Sequence, residues 1–306
     1  MICRADSATG WKFVAFPLAI IFLFTALPTV VGVALSFFQW TGGGTPRFVG
    51  LQNYREAIAG HTLGPAIRNT LIFAAASVPI TTLAAFLCAV AMNATWFIGR
   101  TAVRTIFFLP TVVSIVAIGF IWRWVLEPSD AGLLNHTLNS LVRAAAPLLG
   151  YEAPVPVEWP RWLGNSPWAL ATIIAVSIWR GLGFSIVLYL AALSNVPRSY
   201  HEAAAVDGAG PWRAMWHITW PTVRPMTFFL LITGMIGALQ VFDIVLVMVG
   251  TIEQPWTDVL NLYLYREFMR NRLGFAAALG VIVLALTVAV TLAQFVWSRP
   301  AEESAA

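Results

Sequence analysis

Charge is what this chain of 306 residues has least of. Only 10% of it is Asp, Glu, Lys or Arg, against about 25% in an ordinary soluble domain, and 59% is hydrophobic. Lipid must therefore be the solvent for most of its length. Lysine is almost missing, since Lys12 is the only one among 18 basic residues. There is no G-x-x-x-x-G-K-[ST] loop to cradle phosphates, so the chain itself cannot hold ATP through such a motif. Two cysteines, Cys3 and Cys88, are too few and too differently placed for a disulfide framework. The four histidines (His61, His136, His201, His217) lack ligand spacing and accompanying carboxylates, which argues against a metal site. No G-x-S-x-G elbow or comparable nucleophile motif points to hydrolysis. The net charge of +4 comes from scattered arginines, not from a basic stripe, and excludes a nucleic-acid partner.

What is present is a series of long apolar runs. A hydrocarbon core of about 30 Å needs about 20 helical residues, and backbone in lipid must satisfy its own hydrogen bonds. Six runs qualify, at about 13–38, 68–93, 104–125, 167–193, 226–248 and 274–297, each bounded by arginines, prolines or polar clusters. The first is too long for a signal-peptide core and is read as a retained helix. Segments such as 281–290 are apolar all round, which a soluble helix is not. The expectation is an all-α integral membrane protein with a single domain over 1–306.

Six spans place both termini on one side, but charge does not say which. Eight basic residues fall on the terminal side and nine on the other, with Arg180 inside a span. Glu127, Asp130 and Glu158 lie in a long connection and are read as a solvated surface.

Orientation rests instead on the polar segment 194–225, which carries Glu202, Ala203, Ala204, Asp207 and Gly208, then Pro211, Ile218 and Pro221. Glu202 suits the first turn of a short helix through the dipole, the alanines continue it, and Gly208 ends it. A second short helix from about Pro211 sets Trp212, Met215, Trp216 and Trp220 at spacings of three and four. This Glu-Ala-Ala, x, x, x, Gly pattern with Ile218 and Pro221 resembles the EAA loop of ABC importer permeases, with Trp220 in place of the usual Leu. The resemblance runs on through Phe48-Val-Gly50-Leu51-Gln-Asn53-Tyr54, Arg68-Asn69-Thr70, Phe108-Leu109-Pro110, Gly132-Leu-Leu-Asn135, Trp162-Leu163, Trp179-Arg180-Gly181 and Val241-Phe242-Asp243. In that order these are similar to carbohydrate-uptake permeases of the maltose and glycerol-phosphate type. The stretch Val249 to Pro255 departs from the pattern, keeping one glycine and the proline where the family has Thr-x-Gly-Gly-Pro.

The resemblance implies a type I ABC importer permease fold in a bacterial inner membrane, with both termini and the coupling segment cytoplasmic. It also implies a second homologous permease, an ATPase dimer carrying ATP and magnesium, and an extracytoplasmic solute-binding protein, with no cofactor on this chain. The solute would be a sugar or sugar derivative. A permease for an amino acid or phosphate ester and an ion-coupled secondary transporter are the alternatives. Within the spans, Arg180 should face a cavity or a partner, because an unpaired charge in lipid costs about 2.5–3.5 kcal/mol. Asp243, the one acid in a span, and Gln240 stand three apart on one helix face. With Tyr189 and Trp179 they supply the planar polar and aromatic groups that recognise a polyhydroxylated ligand, and are candidates for the pathway.

Overall fold

The computed structural model describes residues 6–94, 99–129, 132–149, 159–164 and 166–298. Cys3, Arg4, Asp130, Glu158 and Arg299 lie outside the described residues.

In chain order, α1 (Asp6–Ile21) passes through a wide π turn (Phe22–Ala26) into α2 (Leu27–Leu35), and a short hairpin pairs β1 (Phe38–Gln39) with β2 (Arg47–Phe48). Then come α3 (Gln52–Ala59), the 31-residue α4 (Leu63–Asn93), α5 (Arg100–Val112), α6 (Ile115–Val125) and α7 (Leu133–Ala145). α8 (Trp168–Ser194) leads to the short α9 (Arg198–Val206). α10 (Pro211–Ala214), a second π turn (Met215–Thr219) and α11 (Trp220–Leu239) follow without interruption, and α12 (Asp243–Val249), α13 (Leu260–Met269) and α14 (Leu273–Ser298) complete the order. Among the described residues five helices are long and apolar enough to cross a membrane, or six if α5 and α6 count as one bent span.

Two of the expected spans are not single helices. Over 104–125 the chain bends by 99° between α5 and α6. Pro110 removes one helical hydrogen bond, and Thr111, Val112 and Val113 are a β-branched run with low helix propensity; Val113 is then extended at φ −71° and ψ 142°. Over 226–248 the helix stops at Leu239, and Phe242 leaves helical geometry at φ −148°. The carbonyl freed at Gln240 accepts from the Asn261 amide at 2.7 Å, which makes the break affordable in an apolar setting. The same helix starts at Pro211, so the segment expected as a separate stub is the first part of a 29-residue rod.

The described chain forms two compact units. The first holds the residues up to Leu63 together with Tyr263–Ala285. Here Asn53 donates to the carbonyls of Ser36 (2.8 Å) and Phe38 (2.9 Å), and the Tyr54 hydroxyl donates to Ser36 Oγ at 2.6 Å. The Asn53-Tyr54 pair that closes the motif beginning at Phe48 is thus the clasp that satisfies the end of α2. Glu267, 1% exposed, accepts from Arg270 at 2.5 Å and Arg272 at 2.7 Å, and Arg272 also pairs with Glu56. Burial pulls the Arg272 pKa down, but the two carboxylates outweigh it and hold it above the ordinary value.

The second unit, Gly64–Leu262 with the chain from Leu286, packs two apolar clusters, one around Ile173, Val245 and Leu262, the other around Phe86, Ile186 and Tyr189. Asn69 donates to the carbonyls of Pro255 and Asp258, each at 2.9 Å, and the Leu260 amide donates to Thr70 Oγ1 at 3.0 Å. The Arg-Asn-Thr motif therefore staples α4 to the turn before α13. Asn69→Ala leaves two buried carbonyls without a donor, at about 1–3 kcal/mol. We expect a clear drop in thermal stability in detergent with insertion unchanged; an unaltered melting curve would show that water satisfies this turn.

Candidate functional site

Two features of the second unit stand out, an exposed helical segment and a cavity with polar groups in its wall. In α9, Glu202, Ala203, Asp207 and Gly208 are exposed and Ala204 is half-buried. Its end is a complete glycine cap. Gly208 takes φ +75°, its amide donates to the Ala205 carbonyl at 3.1 Å, and the Ala209 amide donates to the Ala204 carbonyl at 2.8 Å. The spacing from Glu-Ala-Ala to Gly is the length of helix that this cap closes. On either side of it Val206 is 88% and Trp212 66% exposed, apolar surface that water does not favour. Ile218 is half-buried and Pro221 is exposed on the rod that follows.

From this surface an aromatic row enters the bundle. Trp212 meets Trp216 (5.9 Å between ring centres), Trp216 meets Trp220 (5.7 Å), Trp220 meets Phe86 (4.9 Å), and Phe86 meets Tyr189 (5.6 Å). The row ends where the Tyr189 hydroxyl donates to Thr227 Oγ1 at 2.9 Å, fully buried.

The cavity, about 520 Å³, lies among α4, α5, α6, α8, α11 and α12, within the usual small-ligand range of about 300–1,000 Å³. Both helix breaks border it, through Thr111 and Ile115 at one and Gln240 to Ile244 at the other. Of the expected pathway residues, Arg180, Gln240 and Asp243 line it. Gln240 and Asp243 do not share a helix face; they stand on either side of the break, with Asp243 in the first turn of α12, where the helix dipole favours its charge. Tyr189 and Trp179 are elsewhere. Tyr189 belongs to the apolar core, and Trp179, 40% exposed, packs edge-on against Trp122 at 5.6 Å.

Among the described residues no ion pair joins Arg180 to Asp243, and the buried Arg180 Nε has no hydrogen-bond partner. The rest of the polar lining went unmarked by single-residue inspection: Ser77, Thr81, Thr82, Thr111, Ser177, Ser185 and Thr233. Their signal is spacing. Ser177, Gly181 and Ser185 stand four apart on α8, as Ser77 and Thr81 do on α4. Ser77, Ser177 and Thr233 donate to carbonyls four residues back, which leaves their oxygen lone pairs to accept from a ligand. Donors into the cavity come from Arg180 and the Gln240 amide, so the lining can meet groups that both donate and accept.

Membrane-crossing helices around a cavity with polar groups in its wall, joined by one long helix to a segment with an exposed, capped Glu-Ala-Ala helix, define a membrane transport component. Residues 77–299 match the family described as the binding-protein-dependent transport system inner membrane component, and the chain belongs to that family. It is similar to the osmoprotective compounds uptake permease protein of Synechocystis sp., with 34% identity over 90% of this chain and 94% of the relative. It is also similar to the lactose transport system permease protein of Rhizobium radiobacter, with 30% identity over 97% of this chain and 96% of the relative. A crystal structure of a bacterial alginate ABC transporter, in complex with an alginate pentasaccharide-bound periplasmic protein, superposes with a TM-score of 0.79 at 26% identity, covering 97% of this chain and 96% of the other. The chain is thus a multi-pass inner-membrane permease of the type I importer fold, a transport subunit and not an enzyme.

Proposed function

We propose that the chain is one permease half of an ATP-driven importer that passes a sugar or sugar derivative delivered by an extracytoplasmic binding protein. The observation that carries this reading is the continuous rod from Pro211 to Leu239, which begins in the exposed segment and ends at the cavity. At 1.5 Å per residue it spans about 43 Å, so displacement at one end is delivered at the other with little loss. Glu202, Ala203, Ala204, Asp207, Gly208, Ile218 and Pro221 form the surface that a cytoplasmic ATPase grips, and both termini lie on that side. ATP and magnesium belong to a pair of such ATPase subunits. A second, homologous permease covers Thr233, Gln240 and Asp243, polar groups exposed at membrane depth and costly to leave in lipid. Closure of the ATPases then exchanges inward for outward access.

The relatives named for lactose and the alginate transporter support a carbohydrate solute, as does a lining of hydroxyl, amide and guanidinium groups. Arg180 favours a second reading, in which the solute carries a carboxylate or phosphate. Purification of the tagged chain from its host, mass spectrometry of the accompanying subunits and uptake into proteoliposomes test the proposal. ATP-dependent uptake of neutral oligosaccharides supports it, uptake of anionic solutes alone selects the second reading, and ATP-independent uptake by the chain alone overturns both. Arg180→Gln is expected to lower uptake about tenfold with subunit assembly intact, the loss of one charge-assisted hydrogen bond to solute. Unchanged uptake would return Arg180 to a structural role.

A further inference from the structure

α7 is an amphipathic helix whose apolar side is only partly covered. Leu134, Leu138 and Val142 are half-buried, and its two buried side chains are polar. Asn135 (2% exposed) accepts from the Trp162 indole and Asn139 (7%) from the Trp159 indole, both at 2.8 Å, and Asn135 also donates to the Pro128 carbonyl at 2.9 Å. The exposed side carries a stripe of Leu133 at 47% exposure, Leu141 at 61% and, in the turn just beyond, Leu148 at 87%, with Ala144 exposed between them and His136, Ser140 and Arg143 exposed along one edge. Thr137 falls within this stripe, but its hydroxyl donates to the Leu133 carbonyl at 2.6 Å and leaves no donor unmet. A helix in water turns such a stripe inward.

The position of α7 says what covers it. Leu134 packs against the apolar cluster that contains Leu163 and Leu170, and Leu170 is in the first turn of α8. Trp162, bonded to Asn135, stands six residues before Trp168, where that span begins. α7 is thereby held at the membrane end of α8. Trp124 at the end of α6 (62% exposed) and Trp168 (54%) mark this level, as aromatic residues do at a lipid–water boundary. Leu133–Ala145 has no acidic residue, and exposed Arg143 flanks the stripe, long enough to reach phosphate headgroups.

We propose that α7 is an interfacial anchor that lies in the lipid headgroup region with Leu133, Leu141 and Leu148 in the acyl chains of an anionic leaflet. The two asparagine–indole bonds fix its roll, so that the apolar stripe faces lipid while the side with Leu134, Asn135 and Asn139 closes the end of the bundle. The inference holds whatever solute the cavity carries.

Spin labels test it. With Cys3→Ser and Cys88→Ser as background, Leu141→Cys, Leu148→Cys and His136→Cys are labelled in the full chain, purified with its subunits and reconstituted in phosphatidylethanolamine and phosphatidylglycerol. Oxygen collisions should exceed those with a water-soluble nickel chelate several-fold at 141 and 148, at a depth of about 5–10 Å, and the order should reverse at 136, more than about 100° around the helix from both. Dominance of the chelate at 141 and 148 overturns the proposal. So does shielding of both sites from both reagents, or shielding that appears only on addition of the binding protein, since each result assigns the stripe to a protein partner.

Discussion

A Gly208→Val variant is expected to insert, fold and assemble, yet to lose about 5–30-fold in ATP-driven uptake. The residue holds φ +75°, and a Cβ built there meets nothing within 4 Å, so crowding is not the cause. The cost is conformational. A residue with a side chain gives up about 1–2 kcal/mol in the left-handed region, and a β-branched one more. That energy is taken from the population in which α9 ends where it does and Trp212 and Val206 are presented together. Asparagine tolerates the left-handed region better, so Gly208→Asn should retain most of the uptake. ATPase activity that continues in the valine variant while uptake falls is the expected signature of uncoupling. Equal uptake in the Asn and Val variants, or normal uptake in both, would remove the glycine cap from the coupling mechanism.

Gly183→Leu should have the largest effect on stability. A Cβ at Gly183 would sit 2.0 Å from the Phe107 carbonyl oxygen, 2.7 Å from its carbon and 2.8 Å from Phe108 Cα. These are backbone atoms of α5, and no rotamer change relieves them. The helices must separate, at about 3 kcal/mol or more, the upper end of the usual cost of overpacking. Because α5 and α8 both wall the cavity, we expect a fall in melting temperature in detergent and loss of uptake together. Gly237→Ala is the control, since nothing lies within 4 Å of a Cβ there. Equal stability of the two variants would mean that α5 and α8 are not in close contact in the membrane.

Much of this was legible in the residues. Apolar runs announce spans because lipid offers the backbone no partner, so length and hydropathy suffice to reveal a helix. The short motifs were legible as signatures but not as devices. Asn53, Asn69 and Asn135 each donate to carbonyls of a neighbouring loop, and nothing in their spacing names those acceptors. The cavity was partly legible. Arg180, Gln240 and Asp243 drew notice as polar groups in lipid, whereas Tyr189 drew the same notice and is buried against Thr227. A polar atom in a span needs a partner, and the chain alone does not say whether that partner is protein or ligand.

Composition and local pattern by themselves determined that the chain is a helical membrane protein, where its apolar runs lie, and that Gly208 ends a short exposed helix. These follow from solvation and from backbone preference, which act residue by residue. Only the tertiary structure decided that two spans break, that the rod from Pro211 reaches the cavity, and which polar groups meet there. A break is stable only where a distant side chain satisfies the freed carbonyl, as Asn261 does for Gln240, and a cavity is the space that packed helices leave. Both depend on contacts between residues far apart in the chain, which no local pattern records.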